Sequence, residues 1–337
     1  MISRSFHAWE RRLAAVDTNR VVRPFAWGLD WLGLRADNGA SPQALLSSWA
    51  AGSVAASDRF FELPRAPVPE IDGDLIRFPS AVVTPHADNN LVRARVFRPA
   101  DDRARPRRAV IVLPQWNAAP QGHVGLCRLL ARVGLTAVRL SLPYHDERRP
   151  ADLQRADFIV SSNVGQTAQI NRQAVLDARR LVDWLEAEGF DRIGILGTSL
   201  GSCLSMLTMA HEPRICAGAF NHVSPYFADV VWRGISTRHV RAGLEGHVSL
   251  DELRDYWMPI SPWPFIERIR GRQVLLVYAR YDLTFPVDLS RRFVGEFQRL
   301  KLPHRRAQLW CGHYTTGKAP FKFMDGYHLT KFFVRNL

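Results

Sequence analysis

Five residues carry the clearest chemical signal in this chain: Gly197-Thr198-Ser199-Leu200-Gly201. A G-x-S-x-G sequence is weak alone, but here the apolar strand-like run Ile193–Leu196 precedes it and an apolar helix-like run comes after it. A sharp strand-to-helix turn would hold the serine in a strained backbone conformation. Side chains at the flanking positions would obstruct that turn, and the two glycines remove them. The Ser199 hydroxyl would then project beside a helix N-terminus, whose unpaired N–H groups favour a developing oxyanion. The chemistry implied is nucleophilic attack on a carbonyl.

Such a serine needs elements to position it, and the pattern of the chain supplies them. Residues 91–97 alternate between apolar residues and arginine, as a half-buried strand does. Ala109–Pro114, Thr136–Leu142, Arg192–Leu196, Ile215–Asn221, Val274–Tyr278 and Ala307–Cys311 read as further strands. Between them lie amphipathic helices. Leu126, Leu129, Leu130 and Val133 share a face before the stop at Gly134, and Ala174, Ala178, Leu181, Val182 and Leu185 do so before Gly189. Leu200–His211 is the helix after the serine, and one through Phe293 and Phe297 comes later. This alternation predicts a mostly parallel sheet with right-handed crossovers and helices on both faces.

Two segments stand outside the alternation. Residues 1–70 form a helix-prone extension with Trp9, Trp27, Trp31 and Trp49, closed by Pro64, Pro67 and Pro69. Its stripe of Val22, Phe25, Leu29 and Leu32 is expected to pack on the main domain, with a membrane or a second subunit as the other reading. Residues 222–270 carry Tyr226, Phe227, Trp232, Tyr256, Trp257, Trp263 and Phe265, plus Pro259, Pro262 and Pro264. That insertion reads as a cap over the carboxyl edge of the sheet, where α/β sheets bind ligands.

From about residue 75 onward the chain resembles the α/β-hydrolase superfamily. The resemblance implies an α/β fold class, a doubly wound, mostly parallel sheet, here with an aromatic cap insertion and a helical N-terminal extension. It also implies a triad in the order serine, acid, histidine. Val274–Tyr278 leads into Ala279-Arg280-Tyr281-Asp282, closed by Pro286, which matches the family's acid loop and makes Asp282 the partner that orients the imidazole. Asp288 is the competing carboxylate, better suited to a helix start. Ala307–Cys311 runs into Gly312-His313, so the resemblance makes His313 the general base. His304 lies before that strand, at the wrong edge.

Leu200 is expected to give one oxyanion N–H, and the loop after Ala109–Pro114 the other. That loop reads Gln115-Trp116-Asn117-Ala118 where many members have His-Gly. Trp116 is the choice for the backbone donor, with a side-chain amide of Gln115 or Asn117 as the alternative. Pro143-Tyr144-His145 and His222 also stand at carboxyl strand ends and read as hydrogen-bonded structural elements. Arg148 and Arg149 read as solvated, with recognition of an anionic substrate as the alternative.

Composition bounds the rest. The 337 residues are 47% hydrophobic and 23% charged, ordinary for a soluble globular chain. The net charge of +13 raises nucleic acid, but 41 arginines against 4 lysines point to compositional bias. The densest cluster, Arg93–Arg108, reads as a solvated hairpin with no nucleic-acid motif. Cys127, Cys203, Cys216 and Cys311 show no metal-ligand spacing. No P-loop, dinucleotide fingerprint or H-E-x-x-H occurs, so neither an organic cofactor nor a metal is expected. No apolar run is long enough to span a bilayer and no signal-peptide pattern is visible, so a cytoplasmic protein is expected. The expected activity is hydrolysis of a small-molecule carboxylic ester through an acyl-enzyme. The alternatives are a thioesterase or peptidase, or a non-catalytic binding protein. No nucleic-acid partner or stable membrane insertion is expected, and a homodimer through the N-terminal extension stays open.

Overall fold

Residues 109–113, Ala-Val-Ile-Val-Leu, have no exposed surface on either side, as only a strand covered on both faces can. They belong to β4 (Arg108–Leu113). In the computed structural model, which describes residues 2–36, 39–64, 68–101 and 106–337, nine strands form one sheet. The others are β1 (Glu70–Asp72), β2 (Leu75–Pro79), β3 (Leu91–Phe97), β5 (Thr136–Leu140), β6 (Arg192–Thr198), β7 (Ile215–Asn221), β8 (Gln273–Ala279) and β9 (Arg305–Leu309). The order is β1-β2-β3-β5-β4-β6-β7-β8-β9. From β5 to β9 neighbours run parallel, while β1, β2 and β3 pair antiparallel at one edge.

Among the described residues, eleven α-helices surround this sheet: α1 (Ile2–Ala14), α2 (Pro42–Ala55), α3 (Ser57–Phe60), α4 (Val124–Arg132), α5 (Val164–Ala187), α6 (Leu200–His211), α7 (Phe227–Arg233), α8 (Arg238–Leu244), α9 (Leu250–Tyr256), α10 (Val287–Arg299) and α11 (Phe321–Asn336). Two apolar layers separate them. Cys127 and Leu130 of α4 pack with Leu329, Phe332 and Phe333 of α11 on Val110 and Val112. The other layer joins α5, α6 and α10 to Ile111 and Leu113. Alternate residues of β4 therefore serve opposite layers, which is the doubly wound architecture expected from the sequence.

Three expectations change. The Arg93–Arg108 segment is no hairpin, because β5 lies between β3 and β4. A parallel sheet needs a crossover, and the rule that neighbours in sequence are neighbours in space fails at such a point. Arg93 and Arg95 there pair with Glu147 and Asp74, while Arg103 and Arg105 lie outside the described residues. Strands β1 and β2, unmarked by alternation, extend the sheet before β3. Arg148 is not solvated. It is fully buried, paired with Asp177 at 2.8 Å and bonded to the carbonyls of Asn89 and Ser141.

The N-terminal extension packs on the domain. Phe25, Leu29 and Leu32 lie against the larger core, Val22 is exposed, and Pro67 lies outside the described residues. Residues 222–270 fold into short helices, among them α7, α8 and α9. Of their aromatics, Trp257 and Tyr256 are buried in the core, and Trp257 donates to the Val164 carbonyl.

Candidate functional site

Ser199 closes β6 and caps α6 with φ 57° and ψ −119°. This left-handed region is costly for a residue with a side chain, and such strain concentrates where a fold over-determines it. Here its backbone N–H donates to the Asn221 carbonyl on β7 at 2.8 Å, and the two glycines leave no room for anything else. A methyl at Gly197 would collide with Gly201, and one at Gly201 with the carbonyls of Leu113 and Pro114. The Ser199 hydroxyl has no hydrogen-bond partner among the described residues and faces a cavity of about 1490 Å³.

Because β6, β7, β8 and β9 are parallel, the residues after them meet at one edge. Asp282 lies just past β8 and is buried; its Oδ1 accepts from the backbone N–H groups of Thr284 and Phe285 at 2.8 and 2.7 Å. Its Oδ2 accepts from His313 Nδ1 at 3.0 Å. An ionised carboxylate only accepts, so His313 carries its proton on Nδ1 and keeps Nε2 as a free base. The His313 ring stacks on Phe285 at 5.3 Å and lines the cavity with Ser199. Burial would raise the Asp282 pKa, but the charge of His313 and the bonds from His222 and His313 outweigh it and hold the carboxyl well below the usual range. For His313 burial works downward, and the charge and hydrogen bond of Asp282, with the charge of Glu10, carry the imidazole above its ordinary value.

A second histidine shares that carboxylate. His222, directly after β7 and with φ 62°, donates from Nδ1 to the same Asp282 Oδ2 at 2.8 Å, and its ring lies 4.3 Å from that of His313. The sequence reading of a hydrogen-bonded element describes it, but its position at a strand end did not reveal which group it would meet. Donor atoms of His222, Asp282 and His313 lie within 4.8 Å of one another, the one such group of three among the described residues. Both Nδ1 atoms face the carboxylate at the distance that a proton between them requires. Asp288 stays apart, paired with Arg233 at 2.8 Å.

The loop after β4 settles which donors remain. The Asn117 backbone N–H donates to His145 Nε2 at 2.9 Å, while His145 Nδ1 donates to the Pro143 carbonyl. Burial lowers His145 to about 4, so it is a neutral acceptor at neutral pH. Asn117 Oδ1 accepts from Ala156 N–H, and the Trp116 indole donates to the Ala156 carbonyl at 2.8 Å. The backbone N–H groups of Trp116 and Leu200 have no partner among the described residues, and both residues line the cavity. The Asn117 side-chain nitrogen is also buried without a partner. Arg149 is exposed at the cavity wall. From the segment 222–270, Tyr226, Phe227, Val230 and Val231 line the cavity. Beneath the elbow, His123 bonds Thr198 Oγ1 at 3.0 Å, and burial lowers its pKa to about 4. Sequence reasoning missed His123, since nothing local marks a histidine whose partner lies 75 residues away.

The mostly parallel nine-stranded sheet and its structural neighbours show that the chain has the α/β-hydrolase fold. Residues 86–248 match the family described as Alpha/beta hydrolase domain containing 18. Among solved structures, it is similar to an acylaminoacyl peptidase of Pyrococcus horikoshii, at 15% identity and a TM-score of 0.60 over 81% of this chain. This chain spans only 42% of that peptidase. An esterase of Pyrococcus furiosus matches at 14% identity and a TM-score of 0.55, covering 81% of this chain and 97% of its own. An acetyl xylan esterase from Paenibacillus sp. R4 matches at 13% identity and a TM-score of 0.59, covering 85% and 93%. No helix among the described residues is long and apolar enough to cross a membrane.

Proposed function

We propose that this protein is a serine hydrolase that cleaves carboxylic esters through an acyl-enzyme on Ser199. The observation that carries the reading is the left-handed turn at Ser199, with its hydroxyl unpaired in the cavity that His313 also lines, while Asp282 holds His313 Nδ1. In this mechanism His313 Nε2 takes the Ser199 proton as Oγ attacks the ester carbonyl. The tetrahedral oxyanion receives hydrogen bonds from the backbone N–H groups of Trp116 and Leu200, which are free for that purpose. His313 then protonates the leaving alcohol. Water, deprotonated by the same nitrogen, releases the acid and regenerates the serine. Asp282 stabilises the imidazolium that forms twice in the cycle. Closure of the serine–histidine hydrogen bond falls to the substrate complex, as is common where the free enzyme leaves it open.

The wall made by Phe227, Val230 and Val231 favours an apolar acyl or alcohol group. The test is hydrolysis of nitrophenyl esters of graded acyl length, beside the corresponding thioester and anilide, by the wild type and by Ser199→Ala. We expect ester turnover that falls at least a thousandfold in the variant, since the serine and its base act as one unit. Preference for the thioester or anilide would redirect the substrate class with the mechanism kept. Absence of turnover together with failure of a fluorophosphonate to label Ser199 in folded protein would sink the enzyme reading in favour of a binding protein.

A further inference from the structure

Helix α1 is mostly surface: of its thirteen residues only Glu10 and Ala14 are buried. A fully buried glutamate on such a helix calls for partners, because an unpaired carboxylate is costly to bury. Its partners come from the turn that carries His313, some 305 residues further along the chain. Glu10 Oε2 accepts from the Tyr314 backbone N–H at 3.0 Å. Its Oε1 accepts from the Thr315 N–H and the Thr315 hydroxyl, each at 2.8 Å. Thr315 Oγ1 in turn accepts from the Gly312 N–H at 2.7 Å. A methyl at Gly312 would collide with the Glu10 carboxyl, so that glycine makes room for the glutamate. No cation neutralises Glu10 among the described residues; three donors of the histidine turn satisfy it. The same helix reaches the acid loop, where Phe6 stacks on Tyr281 at 4.7 Å and 11°, one residue before Asp282.

We propose that Glu10 is a positioning residue for His313: α1 spans the acid and histidine loops, and the Glu10 carboxylate forms the floor of the turn that aims the imidazole at Ser199. The proposal rests on the reading of His313 as the general base. Floor and charge act together. The turn 312–315 folds around the carboxylate, and the negative charge lies close enough to favour the imidazolium alongside Asp282. The charged and titratable groups facing His313 are Asp282 and His222 from the strand ends and Glu10 from α1. Tyr314 beside it bonds Arg20 and Ser236.

The test uses the full chain with Glu10→Gln, which keeps the volume but removes the charge and turns one acceptor into a donor facing an N–H. His313 is titrated by NMR of histidine-labelled protein, its signal identified by its absence in His313→Asn. This readout needs no substrate. Ester kinetics are measured in parallel, per folded molecule. We expect the His313 titration to move to lower pH. We expect kcat to fall on the order of ten- to a hundredfold with KM little changed, the size of loss that a misaimed catalytic group gives. An unmoved titration with wild-type kcat overturns the proposal. Should Glu10→Gln not fold, Thr315→Val removes one of the three bonds, and the same displacement in smaller measure is expected; wild-type titration and kcat there overturn the proposal equally. A wild type without esterase turnover would sink the hydrolase reading, while the titration still decides whether Glu10 acts on His313.

Discussion

Asp282 Oδ2 serves two imidazoles, and this sharing sets the pH behaviour of the site. The proposed mechanism needs His313 neutral, and its pKa is raised, so kcat/KM should fall on the acid side with an apparent pKa above the ordinary 6.5. His222 moderates that shift, because each N–H given to a carboxylate makes it a weaker acceptor for the next. Replacing His222 with Phe removes one donor and strengthens the hold of Asp282 on the His313 cation. The acid limb should then move to higher pH, opposite to the effect expected for Glu10→Gln. A pH–rate profile of kcat/KM checks this, and a limb that stays in place would show His222 to be packing alone. The sequence marked Ser199, Asp282 and His313 by their places at strand ends. It placed His222 at such an end too, but which carboxylate an imidazole meets depends on the spacing of β7 and β8, which no local pattern encodes.

At the scale of elements, the site edge is held by a buried polar brace. Arg148 pairs with Asp177 of α5 and reaches the carbonyl of Asn89, just before β3, and that of Ser141, just after β5. Ser80, after β2, donates to Asp177 at 2.7 Å. Burial lowers the Arg148 pKa and raises that of Asp177, each opposed by the charge of the other. Removing one partner strands the other, so Arg148→Ala should cost about 3–5 kcal/mol. Urea unfolding measures it, and a loss under about 1 kcal/mol, the worth of an exposed pair, would contradict the brace. The strands β3 to β9 and helix α6 were legible because their apolar runs have lengths and periods that only one element satisfies. Arg148 was misread as solvated, since a charged residue is rarely buried and its partner lies 29 positions away.

For the whole molecule, buried histidines make acid the weak side of stability. His123, His145, His211 and His239 are each lowered to about 4, burial being the largest cause in every case. In the unfolded chain they would titrate near 6.5. Between those values the unfolded state binds more protons than the native one, so stability is whole above 6.5 and drains away as pH falls toward 4. Thermal midpoints across pH 8 to 4 should therefore decline below about 6.5, and a flat profile down to pH 5 would contradict it. The N-terminal extension adds to this body by packing: Phe25, Leu29 and Leu32 of its apolar stripe rest on the larger core, and Val22 alone of the four stays exposed.

The sequence by itself determined the alternation of strand and helix and the serine turn, while Asp282 and His313 were put forward by the family resemblance. The first two are local patterns: burial on two faces writes continuous apolar runs, and a strained turn writes glycines. Tertiary structure alone decided that Glu10 lies under Gly312, that His222 shares Asp282, that His145 occupies the Asn117 N–H, and that β5 separates β3 from β4. These are pairings between residues far apart in the chain. Hydrogen bonds and charges act over a few ångströms of space, and a chain's residue types record only that partners are needed, not where the fold brings them.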